Sequence, residues 1–108
     1  MNLETLYSIL TGITGFENKV AYYDFPDDDV PDLPYICYSE TATRVFAADG
    51  ISYHSSRDVD IELYSKEKSE ANEALVETAL TNNGIIWNKS ERYLDTMQCH
   101  QVIYSVEV

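Results

Sequence analysis

Residues 57–64 constrain the fold more than any other segment of the chain. Three branched apolar residues alternate there with three acids, in the order Asp58, Val59, Asp60, Ile61, Glu62 and Leu63. Successive side chains of a β-strand point to opposite faces, so the segment predicts a strand with one face in a core and one face outside. The acids would then lie together on the open face. We call Asp58, Asp60 and Glu62 the acidic stripe.

Two other segments have the periodicity of helices. Residues 2–11 predict a first helix with Asn2 as its N-cap. Residues 66–82 predict a second helix, which begins at Ser65 or Lys66 and is followed by an Asn-Asn-Gly stop. The glutamates of the second helix have the spacing of a solvated face. Its predicted apolar face consists of Ala71, Ala74, Leu75, Ala79 and Leu80.

Strand patterns occupy much of the remaining chain. We predict strands over residues 20–23, 35–41, 45–47, 51–54, 57–64, 85–88 and 98–108. A turn is expected at 48–50, and 91–97 is either a connection or a second short strand. Grouped in the order α-β-β-β-α-β-β, these elements predict an α+β fold in which an antiparallel sheet carries two helices packed on one face. No linker or repeat divides the sequence, so residues 1–108 are expected to form a single domain.

Residues 17–34 predict an extended acidic arm that contains all three prolines of the chain. Each proline removes a backbone donor and restricts the residue before it, which disfavours regular structure. Such a segment is either an ordered arm that docks on a partner or a mobile surface loop. We favour the docking arm, with Phe25 and Leu33 as its apolar anchors. Five aspartates lie in the same segment: Asp24, Asp27, Asp28, Asp29 and Asp32.

The charge of the chain excludes several classes of protein. Nineteen acidic residues stand against seven basic ones in 108 residues, a formal charge of −12. Seven cations cannot neutralise a row of phosphates, which excludes an electropositive nucleic-acid binder. With 44% hydrophobic residues the chain can still fill a core, so it is not a disordered acidic tail. No apolar run approaches the roughly 20 residues of a membrane span, and no signal peptide is expected.

No group of residues has the pattern of a catalytic, cofactor or metal site. The spacing of Cys37, His54, Cys99 and His100 matches no zinc pattern, and neighbours on a strand point to opposite faces. The Asp27-Asp28-Asp29 run lacks the alternating oxygens and the glycine of a calcium loop. We therefore expect a protein that is not an enzyme and holds no cofactor. Both cysteines are predicted to be buried thiols, although their spacing does not decide against a disulfide.

The nine tyrosines exceed what one small core can seal from water. Tyrosine favours surfaces that are apolar at one end and hydrogen-bonded at the other, and it is enriched in subunit interfaces. Because tyrosine also occurs commonly at half-buried strand positions, such positions account for about half of these tyrosines. The excess favours a protein that assembles with other chains.

Several pieces of the chain resemble small tail proteins of long-tailed bacteriophages and prophages of Gram-positive bacteria. Within that group the chain is most similar to the tail-terminator family, also called tail-completion or head–tail joining proteins. The resemblance spans most of residues 20–108. It is carried by LPYICY (33–38), FAAD (46–49), VDIELYSKEK (59–68), Glu73 with Leu80, IWNKSE (86–91) and YSVEV (104–108).

The resemblance implies an α+β protomer that forms a ring, usually a hexamer, at the end of the tail tube. Its implied partners are other copies of the chain, the tail-tube proteins and the head connector, while DNA passes through without specific binding. It implies assembly in the host cytoplasm and then a place in the virion, and it carries no catalytic residues. In such a ring the acidic stripe would line the channel, where it repels DNA phosphates, or meet a basic patch on a neighbour. A merely solvated sheet face is the alternative.

A different function fits the charge as well. Small acidic phage-encoded domains also act as DNA mimics, which present carboxylates at phosphate-like spacing and inhibit a nucleic-acid-binding partner. The composition suits this alternative. The concentration of acids in the arm and in one strand, together with the tyrosine excess, favours assembly instead.

Overall fold

The structure, a computed structural model, describes residues 1–48 and 52–108. Two helices and five strands follow one another along the chain: α1 (Leu3–Thr11), β1 (Val20–Tyr22), β2 (Tyr35–Ala48), β3 (Ser52–Ser65), α2 (Glu70–Asn82), β4 (Trp87–Leu94) and β5 (Cys99–Glu107). The predicted α+β class and the order of elements are confirmed. The turn predicted at 48–50 falls mainly on residues 49 and 50, outside the described residues. No helix in the described part of the chain has the length and apolar character needed to cross a membrane.

The strands form one sheet in the order β1-β2-β3-β5-β4. Three of its four strand pairs are antiparallel, as predicted, but β1 runs parallel to β2. Parallel neighbours need a crossover connection of about a dozen residues, and here residues 23–34 provide it. Of the arm predicted over 17–34, residues 20–22 form β1 and residues 23–34 form the crossover that joins β1 to β2. From here on the arm means residues 23–34.

One face of the sheet carries the core. Val59, Ile61 and Leu63 are fully buried there, as the alternation in their strand predicts. Both helices pack on this face, which confirms their predicted side of the sheet: α1 contributes Leu6 and Leu10, and α2 contributes Val76 and Leu80. Burial of each such side chain contributes about 1.5–3 kcal/mol. The opposite face, which we call the open face, carries the acidic stripe. At one end of this face Phe25 packs on Tyr35, and Tyr35, Cys37 and Cys99 are buried there.

Helix α1 begins where the sequence predicts. The side chain of Asn2 accepts a hydrogen bond of 2.8 Å from the Thr5 backbone N–H, which satisfies one free donor of the first turn. Helix α2 ends as predicted, with Gly84 in the left-handed region at φ +73°.

The predicted start of α2 at Ser65 or Lys66 is wrong. Ser65 still belongs to β3, where it pairs with His100. The helix begins four residues later because Ser69 is the N-cap, and its hydroxyl accepts a hydrogen bond of 3.2 Å from the backbone N–H of Asn72.

The predicted apolar face of α2 is also largely wrong. The helix buries Glu73, Val76 and Leu80, while Ala71, Ala74 and Leu75 are exposed. The buried face is therefore rotated from the row of alanines towards Glu73. The helix tolerates this because two lysines neutralise the buried carboxylate.

Strands β2 and β3 are longer than the separate pieces that the sequence predicts. β5 pairs with Asp58–Ser65 of β3, and the Val108 backbone adds one further pair by exchanging two hydrogen bonds of 2.9 Å with Arg57. Beyond Arg57 the far half of the hairpin has no described strand beside it. We call this half, residues 44–48 and 52–56, the ribbon. A register shift between Glu40 and Ala42 places a β-bulge at its base, where a bulge increases strand twist. The molecule is 50 Å long and 28 by 24 Å in cross-section.

The remaining strands are also more continuous than predicted. Strand β4 includes the second half of the strand predicted over 85–88 and continues to residue 94, so the first four residues of the segment 91–97 are strand and the last three are not. Its pairing with β5 runs without interruption from Trp87 to Leu94. Strand β5 covers the alternating C-terminal segment, as predicted.

Candidate functional site

The acidic stripe lies on the open face, but its three carboxylates have different surroundings. Asp58 pairs with the guanidinium of Arg44 at 2.9 Å, and the same guanidinium reaches Glu107 at 2.8 Å. Asp60 accepts a hydrogen bond of 3.1 Å from the Ser105 hydroxyl. In the described structure Asp60 therefore forms no ion pair, and its carboxylate contacts only this one hydroxyl donor.

Glu62 belongs to a partly buried polar network. Its carboxylate accepts hydrogen bonds from the Tyr64 hydroxyl at 2.6 Å and from the Gln101 amide at 2.7 Å. Gln101 is buried, and its amide oxygen accepts a bond of 2.7 Å from Arg92 Nε. Burial, and then the hydrogen bond to Glu62, raises the pKa of Tyr64. Glu62 therefore holds the sheet face together and is not a free surface charge.

The arm is fastened to its own chain at several points. The Phe25 ring packs edge-to-face on Tyr35 with 5.2 Å between centroids, and Leu33 is half-buried. The Lys19 ammonium donates to the backbone carbonyl of Asp32 at 2.9 Å. In this structure Phe25 thus anchors the arm to the sheet.

The aspartates of the arm face solvent. All five, Asp24, Asp27, Asp28, Asp29 and Asp32, are exposed. None of them forms an ion pair within residues 1–48 and 52–108. The arm therefore presents a group of free carboxylates beside the sheet, while its apolar anchors are used within the chain.

Both cysteines are buried and free, which confirms the predicted buried thiols. Burial, followed by the nearby charges of Asp24 and Glu62, raises the pKa of Cys37 to about 12. Burial also raises the pKa of Cys99. Neither thiol has the lowered pKa or the exposure of a reactive cysteine.

The zinc candidate His100 does not lie with the thiols. The register places His100 on the core face of β5 and Cys99 on the open face. The His54 side chain lies outside the described residues. Within the described residues, no three His, Cys, Asp or Glu side chains are grouped so that they could hold a metal ion.

The sequence analysis missed a charged cluster between α2 and β4. Glu73 is only 3% exposed, and its carboxylate pairs with Lys68 and Lys89, each at 3.0 Å. Lys89 also pairs with Glu77 at 2.9 Å. Lys68 also pairs with Glu91 at 3.0 Å. The predicted solvated face of glutamates is therefore wrong for Glu73.

The cluster is electrostatically balanced. Burial would raise the pKa of Glu73, but the hydrogen bonds from Lys68 and Lys89 outweigh burial and hold that pKa below its ordinary value. The Tyr104 hydroxyl donates to Glu77 at 2.8 Å, which ties the cluster to the core. Every carboxylate here has a cationic or hydroxyl donor, so the cluster acts as a clamp between helix and strand and offers no free nucleophile. Lysines from two different elements supply the charge, and no local sequence signal pairs them with Glu73.

Exposed aromatic side chains gather at the β1 edge of the sheet. Tyr22 packs edge-to-face on Tyr38 at 5.1 Å between centroids, and Tyr7 lies 6.3 Å from the same ring. Tyr7, Tyr22 and the following Tyr23 are all exposed. Tyr23 also has a left-handed backbone at φ +71°, which non-glycine residues seldom adopt. We call these three residues the aromatic edge.

A second exposed apolar surface lies on the ribbon. Phe46 is 53% exposed and Val45 is 66% exposed. Neighbours on a strand face opposite ways, and Phe46 shares the open face with Arg44, while Val45 lies on the other side. The ribbon therefore exposes one large apolar side chain on each of its two sides.

No known family model matches the sequence, and no curated protein was found that is similar to it.

Proposed function

We propose that the chain is a structural virion protein, namely a phage tail terminator. It forms a ring at the end of the tail tube and joins the tube to the head connector. In the family that the chain resembles, the ring usually has six copies. The observation that carries the proposal is the ribbon. A two-stranded ribbon is marginally stable in water by itself, and this one keeps Phe46 and Val45 uncovered. Such an element gains stability when another chain covers it, as neighbours in a ring do.

The resemblance and the second uncovered surface support the same proposal. The aromatic edge lies at β1, on one margin of the sheet, and the ribbon extends from β2 and β3. A ring needs two different patches on each subunit, so that the contact runs head to tail and closes on itself. Two separate uncovered apolar surfaces on one chain are compatible with such contacts. Under this proposal the protein assembles in the host cytoplasm and then resides in the virion, and it acts without a cofactor or catalysis.

The open face is the surface that we assign to the channel. Four carboxylates, Asp58, Asp60, Glu62 and Glu107, stand there against two guanidiniums, Arg44 and Arg92, which leaves a formal charge of −2 per subunit. Repeated around a ring, this excess repels DNA phosphates within about 8 Å, the Debye length at physiological salt. DNA would pass without specific binding.

The DNA-mimic alternative rests on the free carboxylates of the arm. Asp27, Asp28 and Asp29 are exposed and consecutive. A mimic would function as a single molecule bound to a basic partner, and it would not need the ribbon. The same experiment on particles separates the two functions.

The test is to produce phage particles without this chain and to examine them by electron microscopy. We expect tails of irregular length and heads that are not joined to tails, both restored when the wild-type chain is supplied in trans. Normal joined particles in its absence would refute the proposal. In that case, binding of the purified chain to a nuclease or repressor of the host would support the mimic.

The channel assignment has its own test in Asp60→Lys. This residue is suited to charge reversal because Asp58 is ion-paired and Glu62 belongs to the buried network. We expect the substitution to lower the infectious titre, because it attracts DNA to the channel wall. Asp95→Lys, an exposed reversal in the β4–β5 turn, is the matched control. Equal titres for the two variants would show that the stripe has no such role.

A further inference from the structure

A groove between α1 and α2 is lined by uncharged residues throughout. Twelve residues line a volume of about 600 Å³, and none of the twelve is ionisable. Ile9 and Gly12 form part of its α1 wall, and Ala74, Leu75 and Thr78 form part of its α2 wall. Leu75 is 41% exposed although it is a large apolar residue. The groove is a consequence of the rotation of α2, which buries Glu73 and leaves Ala74 and Leu75 exposed.

The groove stands out because the rest of the chain is so acidic. Two copies with a charge of −12 each repel one another unless they meet through surfaces that lack acids. The ribbon offers such a surface on one side, where Phe46 is exposed and apolar and the charge of the neighbouring Arg44 is balanced by Asp58 and Glu107. From Arg57, where the pairing with the C-terminal strand ends, to Ser52 the ribbon extends five residues, or about 17 Å at the usual strand rise.

We propose that Phe46 of one copy inserts into the groove between α1 and α2 of a neighbouring copy. The inference rests on the proposed function, since a ring requires a contact between two different patches of the same chain. Both patches occur here on one chain, and neither residues 44–46 of the ribbon nor the lining of the groove includes an acidic residue. Phe46 is the anchor because an aromatic ring in an apolar pocket is the typical centre of an interface, whereas Val45 faces the other side of the ribbon.

Disulfide trapping in the full chain tests the contact. Arg44→Cys, which lies beside Phe46 on the same side of the ribbon and leaves the anchor in place, and Leu75→Cys are prepared as separate variants. Each retains the buried native cysteines, and the two are oxidised mildly alone and as a mixture. We expect a covalent dimer in the mixture that neither variant gives alone. Val45→Cys mixed with Leu75→Cys is the matched control, because its side chain lies on the opposite side of the ribbon, and it should give much less dimer. No excess dimer in the first mixture, or equal dimer in the control, would overturn the proposal.

Light scattering at high protein concentration provides a second readout. Phe46→Ser should weaken self-association by at least about tenfold, as the loss of a central aromatic anchor does. Ile86→Ser removes an even more exposed apolar side chain, 86% exposed, outside the ribbon and the groove, and should leave association unchanged. Equal association of Phe46→Ser and the wild type would contradict the inference.

The outcome is separable from that of the proposed function. Rings that form without a trapped dimer would leave the tail terminator in place and remove this contact. A trapped dimer together with normal particles in the absence of the chain would establish the contact and remove the tail role.

Discussion

Glu73 is the residue whose replacement tests the packing argument most sharply. The substitution Glu73→Gln keeps the size of the side chain but removes a carboxylate that is 3% exposed and that pairs with Lys68 and Lys89. Hydrogen bonds to a charged group contribute about 1.5–3 kcal/mol each to stability. Loss of one partner of a buried pair costs up to about 3–5 kcal/mol, which sets an upper limit.

The expected cost lies below that limit for two reasons. Lys68 retains Glu91 and Lys89 retains Glu77, so neither ammonium is left without a carboxylate. The glutamine oxygen also still accepts one hydrogen bond. We therefore expect a loss of about 2 kcal/mol in the free energy of unfolding, which for a domain of this length lowers the Tm by about 10 °C.

The pH dependence of this loss carries a definite sign. The pKa of Glu73 is lower in the folded chain than its ordinary 4.5. The carboxylate therefore stabilises the fold above pH 4.5, and this contribution disappears as the pH falls through the lowered folded-state pKa. The difference in Tm between wild type and Glu73→Gln should be constant near neutral pH and shrink below pH 4.5.

Thermal unfolding followed by circular dichroism, from neutral pH down to about pH 3, measures both quantities. Glu70→Gln is the matched control, because Glu70 lies in the first turn of the same helix but is exposed. It should cost less than about 1 kcal/mol. If Glu73→Gln were no more destabilising than Glu70→Gln, or if the difference persisted unchanged into acid, the clamp would not stabilise the fold as described.

Three further predictions concern the arm, a turn and the thiols. Phe25→Ala removes the packing on Tyr35, so it should lower the free energy of unfolding by about 1 kcal/mol and accelerate limited proteolysis of the arm. The control Asp28→Ala should leave the proteolysis rate unchanged, and equal proteolysis rates for the two variants would contradict the role of Phe25 as an anchor. Gly84→Ala should lower the free energy of unfolding by about 1–2 kcal/mol, because the backbone of Gly84 is left-handed at φ +73°. Gly84→Asn should lower it less. An unchanged free energy of unfolding in Gly84→Ala would refute the expected backbone strain. Because Cys37 and Cys99 are buried and burial raises the pKa of Cys37 to about 12, neither should react with a thiol reagent until the chain is unfolded, and rapid labelling of the native chain would show that they are accessible.

The elements that the sequence predicts well are those in which side-chain burial follows a local period. Val59, Ile61 and Leu63 predict their strand because each second residue enters the core, and Asn2 predicts the start of α1 because its side chain caps the adjacent turn. The ribbon has no such period. Residues 41–46 are all exposed, and the strand continues there only through its backbone pairing with β3.

The candidate site was less predictable, because its contacts are distant in sequence. The alternation places Glu62 on the open face, but only the fold brings Gln101 and Tyr64 to its carboxylate. The burial of Glu73 depends likewise on Lys89, sixteen residues further along the chain. The groove between the helices arises because α2 is rotated to bury that carboxylate, so no helical pattern indicates it.

The most direct measurement of the central claim is the position of the chain in finished particles. A tag at the N-terminus, where Met1 is exposed, can be labelled with gold in purified virions and located by electron microscopy. Label at one site per particle, at the junction of head and tail, is the result that a tail terminator predicts. Label that is absent from virions, or distributed along the tail or over the head, would contradict it.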